Sequence, residues 1–328
     1  MSDHTSLKTM EQKKDKGFVR NLLDRMNINT ILPLVGFIVI VVVFAFLTDM
    51  RIVQPNSINL ILSQVYVLMI AATGVFMVMT IGGLDFSQGS ILGLASIVIS
   101  YLSFYNIILG IIAGIIAGAV IGAINGFFHV KFRIPSFIVT ICTMFLFRGL
   151  NAYLTTNSPV AAHVSVTSYN VTWLKVLLTI LVLLIAYLLF TYTKLGMVLK
   201  AIGAGETAAR YSGVRTNLTK FLVFTAAGGI TGFAAFLNVI KVGSITATAG
   251  NQLETQILIS LVLGGLPITG GAKVRFYNII VGTLIFSVLN NGLVMLALDT
   301  AMQQLIKGII FVLVVALTID RESIQVVK

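Results

Sequence analysis

The chain has 328 residues, of which 57% are apolar and only 10% charged, and its mean hydropathy is +1.01. Soluble domains carry roughly a quarter of their residues as charges, so a soluble globular protein is excluded and an integral membrane protein is implied. The net charge of +11 and the isoelectric point of about 9.8 arise from lysines and arginines spread over many loops. That spread fits anionic lipid at one membrane face and excludes the single basic groove of a nucleic-acid binder.

Along the chain, the first 30 residues alternate lysine with Asp, Glu and Gln and read as a solvated tail, with a membrane-surface helix near 18–26. Apolar runs then recur at 31–48, 58–81, 89–104, 106–124, 134–153, 171–193, 219–240, 254–270, 276–296 and 301–319. Each approaches the length needed to cross about 30 Å of hydrocarbon as helix, which predicts an all-α membrane protein of about ten spans. The first run lies too far along to be a cleaved leader. Residues 31–320 form the transmembrane domain and 321–328 a short tail.

Orientation follows from the basic residues. Lys8, Lys13, Lys14, Lys16, Arg20 and Arg25 precede the first run, Lys131 and Arg133 follow the fourth, and Lys273 and Arg275 follow the eighth. Lys194, Lys200, Arg210, Arg215 and Lys220 lie between the sixth and seventh, and Arg321 and Lys328 at the end. With ten spans all of these share one side, which is therefore cytoplasmic and holds both termini.

Polar groups inside apolar runs are costly and mark a solvated pathway or packing contacts. Residues 82–90, GGLDFSQGS, hold two glycines able to break a helix. Asp85 or Ser87 can cap the helix that follows or, with Gln88, meet hydroxyls of a cargo. A second break, GGLPITGG at 264–271, fits the rule that Gly/Pro-interrupted segments in both halves of a transporter point to its pathway. GAVIGAING ending at Gly126 faintly echoes IFSVLNNG ending at Gly292, in spans of opposite direction, as an inverted repeat requires. Asn125, Glu254, Asn290, Asn291, Gln303, Gln304 and Lys307 are further pathway candidates. Amides suit an uncharged polyhydroxylated solute and equally suit helix–helix hydrogen bonds, whereas the Lys307 ammonium demands a partner or water. Gly110, Gly114, Gly118 and Gly122 form a four-residue ladder that predicts a tight packing face. The polar loop 155–172 is either a solvated connector or a resting place for an external partner.

Residues 194–220, KLGMVLKAIGAGETAARYSGVRTNLTK, are polar, basic and punctuated by glycine. Good helix formers at 206–211 and a stop at Gly213 predict a short helix bracketed by Gly203 and Gly205, suited to docking into another protein. Glu206 and Arg210 are spaced to pair along that helix. Catalytic constellations are missing: Cys142 is the one cysteine, His4, His129 and His163 are far apart, and no CxxC, HExxH or GxSxG occurs. No phosphate-binding GxxxxGK[ST] occurs either, so ATP-driven work must use another chain.

The run IGAGETAARYSGV at 202–214 resembles the cytoplasmic coupling segment of the permease subunits of bacterial ABC sugar importers, of the ribose, xylose, arabinose and galactose type. GGLDFSQGS, RIPSFIVT at 133–140, LGGLPITGG, and LNNG followed by QQLIKG at 303–308 resemble that family's other motifs in the same order, over roughly 59–320. The resemblance implies a type II-like ten-helix permease in the bacterial cytoplasmic membrane, working as a homodimer or heterodimer around a central pathway by alternating access. It implies an ATP-binding subunit that holds ATP and magnesium, an extracytoplasmic sugar-binding protein as partners, and no cofactor in this chain. Gly203, Gly205, Glu206, Ala208, Ala209, Arg210 and Gly213 would touch the ATPase, Asp85 matches the family's acidic residue, and Gln303, Gln304 and Lys307 match its QQxxKG. Gln88, Ser136, Cys142 and Gln256 depart from common family residues. The expected cargo is a monosaccharide or similar small polar solute. The alternative is an ion-coupled secondary transporter using Asp85, Glu254 or Lys307 as its coupling charge.

Overall fold

The structure, a computed structural model, describes residues 28–318. The surface helix expected near 18–26, the tail before residue 28 and the tail from 321 lie outside them. Ile28–Leu47 (α1) leads through a 3-10 turn at Arg51–Val53 into Pro55–Thr80 (α2), followed by Gln88–Leu102 (α3), Ile107–Lys131 (α4) and Ser136–Leu154 (α5). A strand Val160–Ala161 (β1) and a single helical turn Val164–Thr167 (α6) precede Thr172–Tyr192 (α7), Lys194–Ala204 (α8) and Glu206–Tyr211 (α9). Thr216–Val242 (α10), Ser244–Ile245 (β2), Leu253–Leu263 (α11), Tyr277–Met295 (α12) and Thr300–Thr318 (α13) complete the order.

Every predicted apolar run holds one helix. Six of them, α2, α4, α5, α7, α10 and α12, are long and apolar enough to cross a membrane, while α1, α3, α11 and α13 hold shorter apolar stretches. Local chemistry sets the ends. Pro55 occupies the first turn of α2, where its missing N–H costs nothing. Asn106 caps α4 by accepting from the backbone N–H of Ile108 at 2.8 Å, and Gly243, at φ 71°, ends α10 in the left-handed conformation. The expected eighth run, 254–270, is a helix only as far as Leu263. Gly265 at φ +88° turns the backbone out of the helix, and Pro267 cannot resume the ladder.

The bundle is built around α2, which is apolar on all sides and is packed by α10, α12, α11 and α7. Ile70, Ala71, Ala72, Val75, Phe76 and Val78 are fully buried, and Thr73 and Thr80 return their hydroxyls to the carbonyls of Met69 and Phe76. By contrast α4, α5 and α7 keep most of their surface outside the bundle, where lipid would meet it. The loop 155–172 is folded rather than a free connector: β1 pairs antiparallel with β2, Val160 opposite Ile245, and Val166 on α6 is fully buried.

From Gly114 to Gly122 the glycine ladder on α4 is a backbone contact with α10, while Gly110 lies against Ile99 of α3. A Cβ on Gly118 would stand 2.2 Å from the Gly228 carbonyl, one on Gly122 2.2 Å from that of Phe224, and one on Gly232 2.3 Å from that of Gly114. Without Cβ atoms the two helices touch along their length, where van der Waals packing and Cα–H···O contacts hold them. A methyl group at Gly118 or Gly228 must push the helices apart. Gly118→Ala is expected to destabilise the detergent-purified protein by about 3 kcal/mol in thermal or denaturant unfolding, whereas Gly149→Ala on α5, with open space around it, should leave stability unchanged.

Candidate functional site

Three sets of polar residues and one cavity stand out. The cavity, about 540 Å³, lies between α11, α12, α13 and the chain leaving α2, within the range of small-molecule pockets. Gln252, Thr255 and Gln256 at the start of α11 and Gln304 and Lys307 on α13 are its polar lining. Phe86, Phe286 and Phe311 with Met79, Leu84 and Ile268 are among its apolar walls. It follows α11 from Gln252 to Val262, about 15 Å at 1.5 Å per residue. Lys307 donates to Asn290 Oδ1 at 2.7 Å and stands over the Phe286 ring at 5.9 Å, so the ammonium has an acceptor and a π face at the cavity wall. Gln303 turns back to cap the Leu298 carbonyl at 2.9 Å, leaving Gln304 as the cavity-facing amide of the pair.

The residues around Asp85 form a separate, closed network. Asp85 is fully buried, accepts from the Ser87 N–H at 2.9 Å and the Ser87 hydroxyl at 2.6 Å on one oxygen, and from Gln88 Nε2 at 2.6 Å on the other. Asn125 of α4 donates to Ser87 at 2.8 Å and accepts from Thr143 of α5 at 2.7 Å, while Thr231 of α10 donates to Gln88. Four helices thus meet on one carboxylate, with each buried acceptor matched to a donor. The chain alternates here: Leu84 and Phe86 wall the cavity while Asp85 between them points into the network.

The third set lies at the start of α11. Glu254, 5% exposed, pairs with Arg148 of α5 at 2.9 Å, and Asn151, one helical turn after Arg148, donates to the Ser90 carbonyl of α3 at 3.1 Å. Gly89 and Gly93 admit these side chains, since a Cβ there would stand 2.1 Å from Glu254 Oε2 and 2.4 Å from Asn151 Nδ2. Glu254 therefore faces α3 and α5 while its neighbours Thr255 and Gln256 face the cavity. Asn291 is likewise turned inward, exchanging amide hydrogen bonds with Gln64 of α2 at 3.2 and 3.3 Å.

The glycine-punctuated stretch makes two helices, α8 and α9, joined at Gly205, rather than one short helix. Gly203 rests on the membrane domain: its Cβ would stand 2.0 Å from the Thr80 carbonyl and 2.7 Å from the Gly271 N–H nitrogen. The two glycine breaks themselves meet, with Gly271 donating to the Thr80 carbonyl at 3.1 Å and a Cβ on Gly270 standing 2.3 Å from the Met79 carbonyl. Gly205, Glu206, Ala208 and Arg210 form the outer side of this unit, with the nearest side-chain atom to a Gly205 Cβ 3.8 Å away. Ala209 is 5% exposed and belongs to the core. The expected Glu206–Arg210 pair is replaced by an ion pair between Glu206 and Lys220 at the start of α10, because α9 is too short to hold its own brace and α10 brings a cation alongside. Gly213, at φ +88°, ends the unit as expected.

Sequence reading missed Gln252, Thr255, Arg148, Gln64, Thr143 and Thr231 as site or network residues. Arg148 carried a signal, an arginine inside an apolar run. The threonines carried none, because a helical threonine bonding its own backbone reads identically. Removing Arg148 leaves the Glu254 carboxylate buried without its partner. Arg148→Met is expected to cost about 2–3 kcal/mol, less than for a fully buried pair because the Arg148 side chain is 30% exposed; Arg148→Met with Glu254→Gln should recover more than half of it, as read by unfolding of both variants.

A protein-family profile described as branched-chain amino acid transport system / permease component matches residues 57–315. The ribose import permease protein of Escherichia coli (strain K12) is 30% identical over 86% of this chain and 91% of its own length, and that of Bacillus subtilis (strain 168) is 31% identical over 89% and 92%. The D-allose transport system permease protein of Escherichia coli (strain K12) is 29% identical over 85% and 88%. No solved structure gives a significant match.

Proposed function

Since this chain belongs to the family described as branched-chain amino acid transport system / permease component, and is thus a multi-pass membrane permease subunit of an ABC importer and a transport component rather than an enzyme, we propose that its cargo is a monosaccharide or similar small polar solute. The lining of the cavity supports this cargo. Amides at Gln252, Gln256 and Gln304 offer donors and acceptors to hydroxyls, while the faces of Phe86, Phe286 and Phe311 suit the C–H faces of a sugar ring. The names of the ribose and allose relatives point the same way. Nothing in those names favours an ion-coupled carrier.

The proposal includes ten transmembrane helices within 31–320, with both termini and 194–220 on the cytoplasmic side. It pairs the chain with a second permease subunit, an ATP-binding subunit that binds ATP and magnesium, and an extracytoplasmic sugar-binding protein. The single observation that supports coupling through 194–220 is the seat of Gly203 on Thr80 and Gly271. Thr80 opens the segment that carries Leu84 and Phe86 to the cavity, and Gly271 closes the one that carries Ile268. A push on α8 and α9 by the ATP-binding subunit would move the two glycine breaks together and so change the cavity wall, which is the alternating-access step. Asp85, Ser87, Gln88 and Asn125 would hold α3, α4, α5 and α10 as one body during that step rather than touch cargo. Gln304 and Lys307 would touch cargo.

Affinity purification of the tagged protein from its native membrane is expected to recover an ATP-binding subunit, and vesicles containing both should take up sugar only with ATP and the binding protein present. Gly205→Trp, placed where the fold leaves room, should lower binding-protein-stimulated ATP hydrolysis about tenfold, the scale of a typical coupling energy, with no change in the melting temperature of the membrane domain. Full stimulation in that variant would remove the coupling role, and uptake by the purified chain alone would overturn the ABC reading.

A further inference from the structure

Residues 83–87 join α2 to α3 with no helix or strand of their own. They nonetheless carry Leu84 and Phe86 to the cavity wall and Asp85 into the network behind it, the alternation of an extended strand. A strand needs acceptors for its backbone N–H groups, and here α5 supplies them. Ser136, in the first turn of α5, accepts from the Leu84 N–H at 3.0 Å, and Thr140, one turn later on the same face, accepts from the Phe86 N–H at 3.1 Å. The Thr140 hydroxyl in turn donates to the Leu84 carbonyl at 3.4 Å or to that of Phe137, in its own helix, at 3.3 Å. Ser136 and Thr140 are both buried. Two residues of extended chain cover about 6.6 Å and four residues of helix about 6 Å. Two hydroxyls four apart on α5 therefore meet two amides two apart on the segment, as a neighbouring strand would. α5 packs on α3 and α4 and supplies none of the lining residues of the cavity; it reaches the wall through these hydroxyls.

We infer that Ser136 and Thr140 are positioning residues of the transport pathway: they fix the register of 84–86 and with it the place of the Leu84 and Phe86 side chains on the cavity wall. The inference rests on the reading of this cavity as the cargo path, and it adds to that path two residues that cargo does not touch. Leu84 and Phe86 are only partly buried, so packing alone does not lock them. The bonds to Ser136 and Thr140 are the only hydrogen bonds that their backbone N–H groups make among the described residues. A slip of one residue would turn Asp85 to the cavity and an apolar side chain into the buried network. The two hydroxyls and the Asp85 network thus hold the segment from two sides in one register.

The test compares Thr140→Val, which keeps the shape of the side chain and removes the acceptor, with Thr140→Ser, which keeps the hydroxyl, and with Ser136→Ala. Amide hydrogen exchange of the full chain purified in detergent is read by mass spectrometry on peptides spanning 83–87. It is expected to quicken about tenfold in Thr140→Val and in Ser136→Ala, the scale of one lost hydrogen bond, and to keep the wild-type rate in Thr140→Ser. In the transporter assembled with its ATP-binding subunit and binding protein, sugar taken up per ATP hydrolysed is expected to fall about tenfold in Thr140→Val, on the same scale, and to return in Thr140→Ser. A hydrogen bond that served stability alone would lower the melting temperature and leave uptake per ATP as in wild type, and that result overturns the proposal. Unchanged exchange in Thr140→Val, or a Thr140→Ser as impaired as Thr140→Val, overturns it equally. Wild-type protein that takes up no sugar with ATP overturns the importer reading instead, and the exchange rates then decide alone whether the two hydroxyls hold the wall.

Discussion

The Thr80 carbonyl stands 2.0 Å from where a Cβ on Gly203 would be, and the same oxygen accepts from the Gly271 N–H. Three segments distant in sequence are thereby brought backbone to backbone: the end of the central helix α2, the turn after α11, and the end of α8. No side chain cushions the junction, so a displacement of α8 must be followed by the others or the contact must break. The two glycine breaks continue directly into Leu84, Phe86 and Ile268 on the cavity wall. The same economy of side chains holds α4 against α10, where carbonyls of one helix lie on glycines of the other. A membrane bundle gains little from the hydrophobic effect between its helices, and close backbone approach joins the segments of this one directly.

Polar groups divide accordingly. Asp85, Ser87, Gln88 and Asn125 are fully buried, with their side chains hydrogen-bonded to one another or to Thr143 and Thr231, which suits a structural joint in hydrocarbon, where an unmatched group is costly. Gln304 and Lys307 instead line the cavity, with Thr255 and Gln256 facing them. Alternation along short irregular or helical stretches makes the division: Asp85 and Glu254 turn inward while Leu84, Phe86, Thr255 and Gln256 turn to the cavity. One sequence motif therefore serves both the joint and the wall.

Much of the helix order was legible because apolar runs separated by glycine, proline and lysine carry their own boundaries. The stop at Leu263 was harder, since Leu266, Pro267 and Ile268 prolong the apolar signal after the helix has ended. Glycines were the most readable residues: the ladder on α4 and the breaks at 82–83 and 264–271 all do what their spacing implied. Which partner each glycine meets was not readable, because Gly203 and Thr80 are related only by the tertiary fold. Within the candidate site, Gln304 and Lys307 could be named from the sequence as polar groups in an apolar run, and so could Asp85, but not the opposite directions in which they point. The pair Glu206–Lys220 was hidden for the same reason, since a local i, i+4 partner at Arg210 was the nearer reading.

The account stands on transmission from α8 and α9 through the Gly203 junction to the cavity. Its most direct test is the rate of thiol labelling at Thr255→Cys on the cavity lining, with the exposed Cys142 replaced by serine, measured on the assembled transporter with and without ATP on the partner subunit. The account predicts that ATP changes the rate and that Gly205→Trp abolishes the change while leaving the nucleotide-free rate as it was. A rate indifferent to ATP, or a response that persists in full when α9 can no longer dock, would contradict it.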